Sequence, residues 1–257
     1  MTPLSWHVDG LRVVRHVDRQ ALGKAAGEEI ADWIRTRLAS HPRVRVVFAA
    51  APSQNEMLDT LAESIGIDWP RVEAFHMDEY VGLPAAAPQR FGRYLEERLF
   101  SRVRPGVVQL IDGRADPEAE CRRYAALLAA APLDLVCLGV GENGHLAFND
   151  PPVADFADLL PMKRVTLDPE CRRQQVNDGC FAALADVPRT ALTLTIPTLL
   201  SAARLVAAVP GPTKRAAVQR LLSGHVSPAC PATALRHHRA TTLHVDADSC
   251  PATEPPS

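Results

Sequence analysis

Lysine is scarce in this chain. Of its 28 basic residues only Lys24, Lys163 and Lys214 are lysines. With 22 prolines and many alanines, the skew matches the codon habit of a GC-rich genome, so a lysine at a useful place has withstood a drift to arginine. The six cysteines contain no C-x-x-C pair, which speaks against a disulfide framework and favours buried or incidental thiols. No carboxylate lies at ligand spacing from the adjacent pair His237-His238, so no metal site is expected. No apolar run approaches the roughly 18 residues that span a bilayer. The amino terminus lacks the basic start and apolar core of a secretory signal, so a soluble cytoplasmic protein is expected, with no membrane partner. A net charge of −2 gives no general electrostatic reason to expect nucleic acid.

What is present is an ordinary globular profile, 47% hydrophobic and 23% charged over 257 residues, enough to bury a substantial core. Short apolar runs read as strands at 43–49, 72–75, 133–140, 191–196, 204–209 and 241–245. Helix-like segments lie between them, at about 19–40, 53–64, 89–100, 117–131 and 213–222. Strands alternating with helices of this length argue for βαβ units and a mostly parallel sheet. The nearly continuous apolar run Leu133–Val140 suits a strand covered on both faces. No repeat, linker or composition break divides the chain. Residues 1–250 are expected to form one domain, followed by a disordered proline-rich tail over 251–257.

Ligands of such sheets bind beyond the carboxyl ends of the strands. After the first central strand, Ser53 and Glu56 fit an S-x-x-E capping box that starts a helix at Gln54. Its free N–H groups, around Ser53, Gln54 and Asn55, are either a well-capped terminus or an anion site. After Phe75 come His76-Met77-Asp78-Glu79-Tyr80. A partly desolvated Asp78 is a candidate general base, and the plainer reading is a helix cap beside a solvated Glu79. After Val140, the run Gly141–Asp150 packs Asn143, His145, Asn149 and Asp150 around an apolar trio. His145 can shuttle protons, with Asn143 or Asp150 to orient it. After Val209, Thr213 is a candidate N-cap that places Lys214 in a first helical turn, where a cation is unfavourable unless an anion binds there.

Three of these stretches, Met77–Leu83 (MDEYVGL), Gly139–Pro151 (GVGENGHLAFNDP) and Gly211–Lys214 (GPTK), together resemble the glucosamine-6-phosphate deaminase/isomerase family, whose superfamily includes 6-phosphogluconolactonases. The similarity spans nearly the whole chain. It implies a three-layer α/β/α fold of modified Rossmann type and a deaminase/isomerase-like hydrolase that needs neither metal nor cofactor. The implied reaction takes an amino-sugar 6-phosphate, glucosamine 6-phosphate, to fructose 6-phosphate and ammonia. By the same resemblance Asp78 moves the proton between C2 and C1, His145 assists ring opening at O5, Asp150 supports His145, and Lys214 binds the phosphate. The Ser53–Asn55 turn stands where the family has its phosphate loop.

Three departures mark a divergent member. Asn143 stands where the deaminases carry aspartate, the phosphate loop reads AAAPSQN without its usual glycines, and the family's phosphate-binding arginine has no clear match within Arg172–Asn177. Two alternatives to the deaminase are a 6-phosphogluconolactonase-like hydrolase and a non-catalytic sugar-phosphate-sensing module. The intact MDEY and the F-N-D-P after the histidine favour the deaminase. The expected partner is a small sugar phosphate, and homo-oligomerisation is left open.

Overall fold

Leu135–Leu138, the centre of the longest apolar run, is buried at every position because helices cover both of its faces. The computed structural model describes residues 3–250. Among these, the main sheet contains β1 (Leu4–Val8), β2 (Leu11–Arg15), β3 (Val44–Phe48), β4 (Val72–His76), β6 (Val107–Gln109), β7 (Leu135–Leu138), β10 (Arg204–Val209) and β11 (Thr241–Val245). Their spatial order is β1-β2-β11-β10-β7-β3-β4-β6, parallel throughout except for the antiparallel β1–β2 hairpin at one edge. A small antiparallel sheet, β5 (Asp78–Tyr80), β9 (Thr190–Leu194) and β8 (Met162–Thr166), stands apart from it.

One layer holds α1 (Arg19–Ser40), α2 (Asn55–Glu63) and α3 (Phe91–Leu95), the last running through a wider π-type turn into α4 (Ser101–Val103). Ile30, Ile34, Leu58 and Phe100 of this layer pack on Val46, Phe48 and Cys137. The opposite layer holds α5 (Pro117–Ala129), α7 (Ile196–Leu200) and α8 (Arg215–Ser223), whose Tyr124, Leu199 and Leu221 pack on Val47, Val136 and Leu205. Alternate residues of each strand thus serve opposite layers, as the pleat requires. The fold is the expected three-layer α/β/α arrangement. No helix of the described residues is long and apolar enough to cross a membrane. The tail expected over 251–257 lies outside the described residues.

Local chemistry sets the boundaries. Asp18 accepts the Ala21 N–H at 2.8 Å and caps α1, which stops at Ser40, shortly before Pro42. Gly23 lets α1 and α2 touch at backbone distance, since a Cβ there would lie 2.2 Å from Glu56 Cβ. That contact pairs Arg19 Nε with Glu56 at 2.7 Å and so overturns the expected capping box. With Glu56 engaged, Pro52–Gln54 forms a 3₁₀ turn, α2 starts at Asn55, and no side chain caps it. Thr213 is likewise not an N-cap: Pro212–Lys214 is a 3₁₀ turn, and α8 starts at Arg215. The expected strand at 191–196 forms as β9, in the small sheet rather than the main one. That sheet and α6 (Pro169–Asn177) border the cavity at the carboxyl ends of the central strands.

Candidate active site

A cavity of about 530 Å³, counting the part open to solvent, lies beyond the carboxyl ends of β3, β4, β7 and β10. Ala49–Ala51 and Ser53 line it after β3, Met77 and Asp78 after β4, Gly139–Gly141 and His145 after β7, and Lys214 after β10. Four loops far apart in sequence therefore meet at one place, because parallel neighbours bring all their carboxyl ends to the same edge.

Asp78 and Glu79 are adjacent but face different environments. Glu79 is fully buried and accepts the N–H groups of Tyr80 (2.9 Å), Phe91 (3.1 Å) and Gly92 (3.0 Å), so it ties β5 to the start of α3. Neither a solvated Glu79 nor a helix-capping Asp78 is found. Asp78 faces the cavity at 7% exposure. Burial, then the neighbouring Glu79 charge, push its carboxyl well above the usual range. The His76 ring behind it is held neutral by burial, its pKa lowered to about 3, and Nε2 accepts the Ile111 N–H at 2.8 Å.

The loop after β7 carries a buried triad. His145 Nδ1 lies 3.0 Å from Asp150 Oδ1, off the line of a straight N–H···O bond. Asn143 joins them through its two amide ends: Nδ2 donates to Asp150 Oδ1 at 2.9 Å, and Oδ1 accepts the His145 backbone N–H at 3.0 Å. The Asp168 N–H donates to the other carboxylate oxygen at 3.2 Å. Burial alone would raise Asp150, but His145, Asn143 and the Asp168 N–H outweigh it and hold the carboxyl below its ordinary value. The carboxylate beside the ring is therefore Asp150, and the amide of Asn143 orients both partners. Gly141 is required here, since a Cβ would lie 2.2–2.4 Å from the imidazole. Asn149 serves the loop: its Nδ2 donates to Leu146 O and Leu194 O.

Lys214 is 4% exposed and makes no ion pair among the described residues. Burial lowers its pKa, while the charges of Asp178 and Glu142 partly offset that. Gly211, at φ +92°, aims its N–H at the Asp246 carboxylate (3.0 and 3.1 Å) and fixes the turn that carries Lys214. The other lysines are engaged elsewhere: Lys24 lies 3.9 Å from Glu28, and Lys163 donates to Asp158 at 2.7 Å.

Of the four residues expected at the phosphate end, only Ser53 and Lys214 line the cavity. Gln54 is buried, with Nε2 donating to Ala208 O and Ser53 Oγ, each at 3.0 Å. Asn55 accepts from the Tyr94 hydroxyl. Both turn away because the 3₁₀ turn points only Ser53 inward. Arg172 is no substitute, since its guanidinium bonds Leu184 O and Val187 O. Gln174, Gln175 and Asp178 of the α6 segment also line the cavity, and sequence reasoning missed them. His145, Asp150 and Cys171 offer nitrogen, oxygen and sulfur within 4.8 Å of one another, a spacing at which they could ligate a soft divalent cation.

The model of the family described as glucosamine-6-phosphate isomerases/6-phosphogluconolactonase matches residues 17–244. A glucosamine-6-phosphate deaminase of Bacillus cytotoxicus is 35% identical over 186 residues, 71% of this chain and 68% of that protein. The deaminase of Bacillus thuringiensis strain Al Hakam is 36% identical over the same shares. Among solved structures, a monomeric glucosamine-6-phosphate deaminase superposes with a TM-score of 0.83 at 29% identity, over 92% of this chain and 98% of that one. The 6-phosphogluconolactonase of Thermotoga maritima superposes with a TM-score of 0.74 at 22% identity, over 91% and 98%, a likeness of fold.

Proposed function

Because this chain belongs to the glucosamine-6-phosphate isomerase/6-phosphogluconolactonase family, we propose that it converts glucosamine 6-phosphate to fructose 6-phosphate and ammonia, with Asp78 as the proton-transferring base. One observation carries the reading. A buried carboxylate with no hydrogen-bond donor among the described residues, a histidine backed by a second carboxylate, and a lysine line a single cavity.

In this mechanism Lys214 and Ser53 hold the phosphate, which is remote from the reacting carbons and supplies binding energy and orientation. His145 has Nδ1 against Asp150, which leaves Nε2 to take the anomeric hydroxyl proton and pass it to the ring oxygen as the pyranose opens. Asp150, already ionised, stabilises the imidazolium that forms in passing. Asp78 takes the C2 proton, the electron pair forms the C1–C2 double bond, and the carbonyl pair moves to O1, which takes up a proton that the nitrogen releases in the next step. The same proton returns to C1, the nitrogen at C2 becomes an imine, and water adds there as ammonia leaves. Water consumption in that last step makes the overall reaction hydrolytic.

Desolvation suits Asp78 to this work. A proton beside a carbonyl is weakly acidic, and a base whose pKa is raised toward neutrality removes it more readily. Lactone hydrolysis needs no carbon base, so that reading leaves Asp78 idle. Incubating the purified chain with glucosamine 6-phosphate and assaying ammonia and fructose 6-phosphate tests the proposal. Formation of both supports it; hydrolysis of 6-phosphogluconolactone without ammonia from any 2-amino-2-deoxyhexose 6-phosphate rejects it.

A further inference from the structure

Helix α6 ends beside Lys214. Glu142 and Asp178, the two carboxylates whose charges act on Lys214, both bond Gln174: the Glu142 N–H donates to its Oε1 at 2.8 Å, and its Nε2 donates to Asp178 at 3.2 Å. Both ends of the Gln174 amide are therefore engaged within the protein. Its neighbour Gln175 is not. The Tyr80 hydroxyl donates to Gln175 Oε1 at 2.7 Å. Tyr80 cannot turn away, being fully buried with its ring 4.9–5.4 Å from those of Phe91, Phe148 and Phe181. With Oε1 taken, Nε2 keeps two N–H donors that no described residue accepts, on a residue 7% exposed that lines the cavity. An amide N–H2 is a two-proton donor, and one held by its oxygen end with its nitrogen open to the cavity is placed to donate to a ligand oxygen there.

We propose that the Gln175 side-chain amide binds a phosphoryl oxygen of the substrate alongside Lys214, with Tyr80 as the positioning residue that sets which end of the amide faces the ligand. An amide adds donors without charge. With Asp178 and Glu142 nearby, the phosphate end is thus, among the described residues, a site of one cation and neutral donors. The inference rests on the sugar-phosphate reading of the cavity and adds to it the donor that replaces a missing arginine.

The test is calorimetric titration of the full chain and its variants with inorganic phosphate, together with KM for glucosamine 6-phosphate. Q175A weakens phosphate binding roughly tenfold and raises KM by a similar factor, as for loss of a hydrogen bond to a charged group. Q175E, which turns an acceptor toward the anion, weakens binding further. Y80F leaves Gln175 in place but frees its amide to rotate, and gives a smaller loss of about threefold in the same direction. Phosphate affinity within twofold of wild type in both Q175A and Y80F overturns the proposal. So does a KM rise in Q175A without any change in phosphate affinity, which would place the acceptor on the sugar. Phosphate binding is read without turnover, so a chain that binds phosphate through Gln175 but releases no ammonia counts against the deaminase reading alone.

Discussion

His145 Nδ1 lies 3.0 Å from Asp150 Oδ1, and both residues are buried at the mouth of the central strand. That contact sets which ring nitrogen faces the cavity. D150N keeps the shape and removes the charge, so kcat/KM should fall roughly 10²–10⁴-fold, the span of general acid–base assistance. Asp150 has a folded-state pKa below its unfolded value, so its contribution to stability is present above the ordinary carboxylate range and lost as pH falls through the folded pKa. D150N should therefore lower the melting temperature at neutral pH and narrow that gap in acid, as a series of thermal melts would record.

Glu79 raises Asp78 through its charge, secondary to burial. The acid limb of the kcat/KM profile should thus lie above the usual aspartate range, with activity rising as Asp78 ionises. E79Q removes the like charge and should move that limb to lower pH. It also sets an amide N–H2 against the Gly92 N–H and should lower the melting temperature. A limb that stays in place would separate it from Asp78.

Lys214 and Asp178 are expected to act oppositely. K214A should weaken inorganic phosphate roughly 10- to 100-fold, by loss of a charge-assisted bond. D178N should tighten phosphate by about two- to fivefold, since a partly exposed carboxylate near the ammonium no longer repels the anion. Titration of both variants at one ionic strength checks the pair.

Much of this was legible in the sequence, for reasons that differ by element. Helix α1 is long and well capped, and the apolar run around β7 admits few other folds. Asp78, His145 and Lys214 each lie in the segment that follows a strand of the main sheet, so they share an edge once the sheet is parallel, and Asp150 comes with His145 in the same loop. Helix α6 was not legible because its PECRRQQVN turns Cys171, Gln174 and Gln175 inward and shows no apolar stripe. The capping box failed because Arg19, 37 residues away from Glu56 in sequence, claims that carboxylate. Gln54 and Asn55 looked like ligands from their place after a strand, but a 3₁₀ turn decides which side chain faces inward, and its onset depends on that same distant contact. The pairing of β5 with β9 joins segments over a hundred residues apart, which no local pattern announces.

The most direct test of the central claim is the fate of the transferred proton in wild type and D78N. Glucosamine 6-phosphate is turned over in deuterium oxide, the fructose 6-phosphate is examined for deuterium at C1, and phosphate affinity is measured beside it. If Asp78 is the base, wild type puts deuterium at C1 to the extent that its proton exchanges with solvent, while D78N binds phosphate as wild type does and forms no product. Turnover by D78N at a rate within tenfold of wild type would contradict the assignment.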